Sequence, residues 1–542
     1  MKTALKCIVG FSLLAVLGAT IAFAQNQYIK NVIVVIQENR TPDNLFQDQN
    51  LINAGADIIP PSTGGSCGNN RFQQTPLGAR TLHDCVDPDH SHIPSWENSY
   101  DGGLMDGACT VPMKYCDKSG QNDCHCPEFL CKLGNSKGAL DCTQYAYVSD
   151  PVIQPYWDIA EKYGFANYFF QTNQGPSFPA HQFILSGTSQ PSANNPYYKY
   201  FAAENTTTGA DDAGCVASSG SLVYLVDTTG AESTSQYPCF SHPTLATLLD
   251  NAGVAWRYYS DKEASIWTAP NAIGDLCGAS GGHCQSAEWQ SNVGPNLEGS
   301  LRYINGMNQP TLAPFMYDLT KCKLSDSGGV YFVVPDGKWS DHALNNIGLG
   351  PDWVADIVNG VGYSTCTGGQ PNWSNTVILI VWDDWGGWYD HVNPISTIGG
   401  GNLGYVNGNG NGQAYVYGFR VPLLVVSAYV KETNGQPGYI SGTKQSPLYY
   451  DFGSILQFIK ETYGITDEID SFYHDADYFA KNYPTTSDLS DFFLFCGTCQ
   501  RTFLPIPLST NSNCNQNTCK SNQCDATCFI NYGGGITDPD TE

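Results

Sequence analysis

Residues 376–394 read TVILIVWDDWGGWYDHVNP. Thr376 to Trp382 is a nearly unbroken apolar run rich in β-branched side chains, the pattern of a strand covered on both faces in a parallel sheet. It stops at Asp383 and Asp384, Gly386 and Gly387 turn the chain, and Tyr389, Asp390 and His391 follow. Two adjacent acids at the end of a buried strand repel each other and lose hydration unless a cation compensates them. A divalent metal is the simplest such cation, and open α/β sheets hold their ligands just past the carboxyl ends of strands. Asp383-Asp384 alone reads as a solvated acidic turn. The whole stretch, with His391 seven residues past Asp384, reads as a site.

A second run of this kind, Asn31 to Gln37 (NVIVVIQ), ends in Glu38-Asn39-Arg40. If the two strands lie parallel and close, Glu38, Asn39, Asp383 and Asp384 meet at one sheet edge as a hard, oxygen-rich donor set. Val330 to Val334 is a third buried strand, followed past Pro335 by Ser340, Asp341 and His342. Residues 254–259 and 421–426 complete the strong strand expectations. Helical spacing at Tyr156, Ile159, Ala160 and Tyr163, and at Val354, Ile357, Val358 and Val361, alternates with these strands and supports a βαβ layout. Ser454 to Gln457 reads as a capping box opening a helix that ends at Gly464.

Two further segments carry chemistry. In DPDHSHIPSWENSYDGGLMDG, residues 87–107, His90 and His92 flank Ser91. Residues two apart on an extended chain face the same way, so both imidazoles can reach one site, though either alone is as well explained as a loop histidine. In QTNQGPSFPAHQFILSGTS, residues 171–189, Gly175-Pro176 forces a turn with Ser177 on it, just ahead of an apolar run. A hydroxyl held at a helix N-terminus is well placed as a nucleophile, and equally well placed as an ordinary helix cap.

The chain has 542 residues and a net charge of −26, which gives it no bulk attraction to nucleic acid or to an anionic membrane surface. Residues 1–24 read as a secretory leader: Lys2 and Lys6, an apolar core from Ile8 to Leu17, and the small-residue site Ala22-Phe23-Ala24. The apolar core is short for a membrane span. The expectation is a protein secreted or delivered to the periplasm after cleavage near Ala24, with no stable membrane insertion. Of 21 cysteines, Cys7 lies in the leader, and the even remainder argues for disulfides in an exported chain. Cys124-His125-Cys126 and Cys496 with Cys499 are also possible metal-ligand pairs. The expected organisation is a leader over 1–24, a catalytic domain over 25–499 with a cysteine-rich insertion at 109–142, and a cysteine-rich tail over 500–542. No repeat is evident, and the oligomeric state is not readable.

Taken in order, VIVVIQENRTPDNLF (32–46), residues 87–107, GPSFPAHQFILSGTS (175–189), LLDNAGVAWRYY (248–259), PDGKWSDH (335–342), VILIVWDDWGGWYDHV (377–392), GFRVPLLVVSAYVK (418–431) and the helix at 454–464 resemble one family. It is the bacterial phosphoesterase family of non-haemolytic phospholipases C and a related acid phosphatase, in the alkaline-phosphatase-like superfamily. The resemblance implies a three-layer α/β/α sandwich with a mostly parallel central sheet and hydrolysis of phosphate esters, whether a phospholipid head group or a small phosphomonoester. It implies that Glu38, Asn39, Asp383 and Asp384 hold one divalent metal ion, that Ser177 is the nucleophile of a covalent phosphoserine route, and that His342 with His90 or His92 assists. Two alternatives stand beside it. One is an exported structural or adhesive protein that has lost catalysis on the same fold. The other is a sulfatase, disfavoured because no Cys-x-Pro-x-Arg pattern is present.

Overall fold

The computed structural model describes residues 27–66, 74–75, 77–82, 86–115, 142–191, 201–206, 212–227, 230–298, 314–337, 339–343, 348–394, 397–398, 401–402, 416–433, 437–469 and 488–509. The leader, most of the cysteine-rich insertion and the tail beyond residue 509 lie outside these, so those three expectations are not addressed.

The fold is mixed α/β around a seven-stranded sheet. In chain order its strands are β1 (Asn31–Gln37), β2 (Gly164–Ala166), β3 (Ala255–Tyr259), β4 (Gly329–Val333), β5 (Thr376–Trp382), β6 (Leu423–Ser427) and β7 (Tyr439–Ser441). Their spatial order is β3-β4-β1-β5-β6-β2-β7. Only β6 runs against the others; every remaining neighbour pair is parallel. Every residue of β1, β4 and β5 is buried, which accounts for their unbroken apolar runs. Four helices matter here: α1 (Gln154–Lys162), α2 (Ser177–Ser186), α3 (Gly350–Gly362) and α4 (Phe452–Tyr463). α1 packs on α3, and α2 packs on α4.

The predicted helix at 454–464 is present but starts earlier. Asp451, not Ser454, is its N-cap, and Ser454 is the N3 partner that reaches back to the Asp451 backbone. The aspartate forms the same two-way cap one turn upstream, which a search for the Ser/Thr-x-x-Glu/Gln form passes over. Disulfides join Cys215 to Cys239, Cys277 to Cys284, Cys322 to Cys366 and Cys496 to Cys499. The sulfurs of Cys496 and Cys499 are therefore bonded to each other and not spare for a metal. Residues 501–509 run along the body of the domain, held by bonds from Trp373 Nε1 to the Arg501 carbonyl and from Asn359 Nδ2 to the Ile506 carbonyl.

Two devices tie the polar strand ends together. The Gln37 side chain donates to the Trp339 carbonyl and accepts from the Asp341 amide, at 3.0 Å each. Arg40 donates from Nε and Nη2 to the Asp341 carbonyl. Together they fix the segment past β4 beside the end of β1. The second device is an ion network past β5. Arg420 is fully buried and forks onto Asp390, with Nη2 also 3.4 Å from Asp43. His391 Nδ1 lies 2.7 Å from Asp43, and its Nε2 lies 3.1 Å from Asp57. Lys444 Nζ is 2.7 Å from the same Asp57 oxygen. His391, grouped by its spacing with the acidic pair, belongs to this network. Asp43, Asp390 and His391 lie close enough to suit a metal, but Arg420 already supplies them with a cation.

Burial alone would lower the His391 pKa, but the Asp43 and Asp57 carboxylates outweigh it and hold the ring charged up to about 9, against 6.5 ordinarily. A group whose folded pKa is raised contributes stability that is full below its unfolded pKa and fades as pH rises through the folded one. The contribution is at most about 3 kcal/mol. Unfolding free energies of wild type and His391→Asn should therefore differ most near about pH 6 and converge above the folded pKa. A gap that stays constant across that range would contradict the network's charge state.

Candidate active site

Backbone register brings the first acids together. Gln37 on β1 is paired with Trp382 on β5, so Glu38 and Asp383 leave the sheet side by side. The Asp383 amide then donates to the Gln37 carbonyl, and the Asn39 amide donates to Asp383 Oδ1 at 3.1 Å. Asn39 can turn inward because its φ is +59°, a left-handed value that asparagine tolerates better than most residues. Gly386 packs against it. A Cβ at Gly386 would sit 2.3 Å from the Asn39 carbonyl oxygen, so only glycine permits this approach. The Gly386 amide in turn donates to Asp384 Oδ1 at 2.7 Å.

α2 enters from a third part of the chain. Ser177 is its first residue, preceded by Pro176, whose side chain offers no cap. The Ser177 hydroxyl does not act as a cap bond either. It lies 3.3 Å from Glu38 Oε2, 3.4 Å from Asn39 Oδ1 and 3.2 Å from Asp384 Oδ2. A hydroxyl carries one proton and can satisfy one of these acceptors, not three. Glu38, Asn39, Ser177, Asp383 and Asp384 are all buried.

The histidines separate according to which nitrogen is already committed. His90 Nδ1 lies 2.9 Å from the Pro88 carbonyl, which can only accept, so Nδ1 carries the proton. Its Nε2 then accepts from Asn39 Nδ2 at 2.8 Å, which turns the Asn39 oxygen toward Ser177. His342 Nδ1 likewise meets the Ala343 carbonyl, at 2.7 Å. Its ring lies 5.8 Å from that of His90 and 6.1 Å from that of Trp267. His92 does not join the group. Its Nδ1 faces Glu232 at 3.0 Å and its ring stacks on Trp96. The backbone kinks at Ile93, which is extended (φ −116°, ψ 125°) between His92 and the helical residues that follow.

One residue of the cluster was not singled out for the site from the sequence. His181, fully buried, places Nε2 3.0 Å from Glu38 Oε1 and 3.6 Å from Asp383 Oδ2. It stands four residues past Ser177 on α2, and residues i and i+4 share a helix face. That spacing was the available signal. Burial lowers its pKa to about 4 despite the nearby Asp383 charge. Burial, reinforced by Asp383 and Asp384, pushes Glu38 well above the ordinary carboxylate range. His181 is the one basic side chain that pairs with Glu38 or Asp383 among the described residues.

This donor set fits a cation. Asp383 Oδ2 is buried and receives no hydrogen bond. Oxygen ligands about 2.1–2.3 Å from an octahedral ion stand roughly 3.0–3.3 Å apart, close to the spacings around Ser177 Oγ. Glu38, Asn39, Asp383 and Asp384 would hold such an ion.

A family model, Phosphoesterase family, matches residues 29–466. Phospholipase C A of Mycobacterium tuberculosis (strain ATCC 25618 / H37Rv) is 22% identical over 454 residues, covering 81% of this chain and 73% of that protein. Phospholipase C B of the same strain is 21% identical over 461 residues, covering 81% and 74%. Non-hemolytic phospholipase C of Burkholderia pseudomallei (strain K96243) is 26% identical over 253 residues, covering 40% of this chain and 31% of that protein.

Chelator-stripped protein titrated with divalent cations should gain thermal stability, by about 2.7 kcal/mol at a hundredfold excess over Kd. Asp383→Asn should remove most of that gain while raising the stability of the stripped protein, because it relieves carboxylate repulsion. A metal response unchanged by Asp383→Asn would exclude this cluster as the binding site.

Proposed function

Since the chain belongs to the Phosphoesterase family, we propose that it is an exported, metal-dependent phosphoric-ester hydrolase that works through a phosphoserine at Ser177. The observation that carries this reading is the Ser177 hydroxyl, 3.2–3.4 Å from oxygens of Glu38, Asn39 and Asp384 at the first turn of α2.

Phosphoryl transfer asks chiefly for positioning and for charge to meet the non-bridging oxygens. A bound divalent cation supplies that charge and lowers the pKa of a neighbouring hydroxyl. Ser177 Oγ gives its proton to an adjacent carboxylate and attacks phosphorus. The Oγ–P bond forms as the bond from phosphorus to the leaving oxygen breaks. The amides at the start of α2 favour the anion on that side. His342 protonates the departing alkoxide, and Asn39, aligned by His90, donates to or screens the phosphoryl oxygens. Water then attacks the phosphoserine, releasing phosphate or a phosphomonoester and restoring the hydroxyl. The substrate is a monoester or a diester. The names of the relatives favour a phospholipid diester, and a strongly acidic chain suits a zwitterionic head group better than an anionic one. Hydrolysis assays on a small phosphomonoester and on phosphatidylcholine vesicles decide between them.

Ser177→Ala should lower turnover at least about 10³-fold with the fold intact, and mass spectrometry of quenched wild-type reactions should find on the peptide containing Ser177 one phosphoryl group from a monoester, or one phosphorylated head group from a diester. Full activity in Ser177→Ala contradicts the covalent route. His90→Ala should cost about 10–100-fold, through the loss of Asn39 alignment, whereas His92→Ala should stay near wild type. The reverse ranking would show that the wrong histidine has been assigned.

A further inference from the structure

His181 stands apart from the oxygen donors around it, and its tautomer can be derived. Tyr258 Oη donates its single proton to the Trp267 carbonyl at 2.7 Å. It can then only accept from His181 Nδ1, 3.3 Å away. In the neutral ring this places the proton on Nδ1 and leaves Nε2 with a bare lone pair. That lone pair points at two carboxylate oxygens, Glu38 Oε1 at 3.0 Å and Asp383 Oδ2 at 3.6 Å. Asp383 Oδ2 receives no hydrogen bond, and all three side chains are fully buried. An imidazole nitrogen and two carboxylate oxygens converge here, and their mutual spacing suits one ion, which would displace the proton that burial otherwise favours on Glu38.

We propose that His181 Nε2 is a direct nitrogen ligand of the bound metal, sharing it with Glu38 and Asp383, and that this nitrogen selects a borderline ion such as Zn²⁺ over Mg²⁺ or Ca²⁺. Carboxylate and amide oxygens alone form a site for hard cations. An imidazole among them moves the preference toward transition metals. Tyr258 acts as the positioning residue: its hydroxyl fixes the tautomer and the ring angle, the usual task of a group bonded to the far nitrogen of a ligating histidine. Ser177 and His181, one helical turn apart on α2, then address the same centre with nucleophile and ligand, so any shift of the helix moves both together.

The inference rests on the metal-dependent reading above, and the tests keep the two apart. Full-length wild type, His181→Gln and Tyr258→Phe are stripped of metal and titrated calorimetrically with Zn²⁺ and Mg²⁺. The Mn²⁺-loaded proteins are then examined by electron spin echo envelope modulation for ¹⁴N coupling. The expected result is ¹⁴N modulation in wild type and in Tyr258→Phe but not in His181→Gln. Zn²⁺ should bind at least about tenfold more weakly to His181→Gln, with Mg²⁺ binding changed by less than about threefold. Tyr258→Phe should lose a smaller share of Zn²⁺ affinity. Wild type that binds metal without ¹⁴N modulation overturns the proposal and leaves an oxygen-only metal site standing; modulation that survives in His181→Gln overturns it as well, because another nitrogen then holds the ion. Wild type that binds no divalent cation overturns the metal-dependent reading itself. If His181→Gln does not fold, His181→Asn takes its place in both measurements.

Discussion

The structure depends on how carboxylates are neutralised where β1 and β5 end. The register that pairs Gln37 with Trp382 forces Glu38 and Asp383 side by side, with Asp384 next in line and all three out of water. Buried like charges cost far more than a surface ion pair returns, so each acidic group must meet a cation or take up a proton. A few residues away the chain solves the same problem differently. Asp43, Asp57 and Asp390 are clamped by Arg420, Lys444 and a charged His391, all supplied by the protein. The first cluster is given one imidazole whose spare nitrogen is an acceptor. That asymmetry distinguishes the candidate binding site from a neighbouring acidic group that the protein neutralises itself.

The neutralised group still serves the site. It joins the turn after β1, which carries Asp43, to the turn after β5, which carries Asp390 and His391. Gln37 and Arg40 tie both to the segment past β4 that brings His342. Every candidate ligand therefore sits on a strand end or a helix start whose next few residues are pinned elsewhere. This is the rigid support that a site needs if its donors are to be held within tenths of an ångström. The left-handed backbone at Asn39 and the close approach of Gly386 are the local accommodations that let the two strand-end turns interlock.

Much of this is legible along the chain. The apolar runs of Asn31–Gln37 and Thr376–Trp382 declare buried parallel strands, because only strands covered on both faces dispense with polar alternation. Acids at both ends, and a serine on a Gly-Pro turn ahead of an apolar helix, mark the candidate chemistry. These features are local: strand, turn and helix start each follow from a few consecutive residues, and the sheet topology then brings them to one edge.

What the chain could not disclose is which partner each polar group takes. His90 and His92 look equivalent until the folded chain gives one ring to Asn39 and the other to Glu232. His391 looks like part of the acidic site until Asp43 and Asp57, more than 300 residues upstream, claim both its nitrogens. His181 becomes a ligand candidate only because Tyr258, from β3, occupies its other nitrogen. Periodicity and residue type determine the elements and the edge at which they meet. The role of an imidazole or a carboxylate depends on which donors lie within about 3 Å, and sequence-distant segments supply those donors only after the sheet has formed.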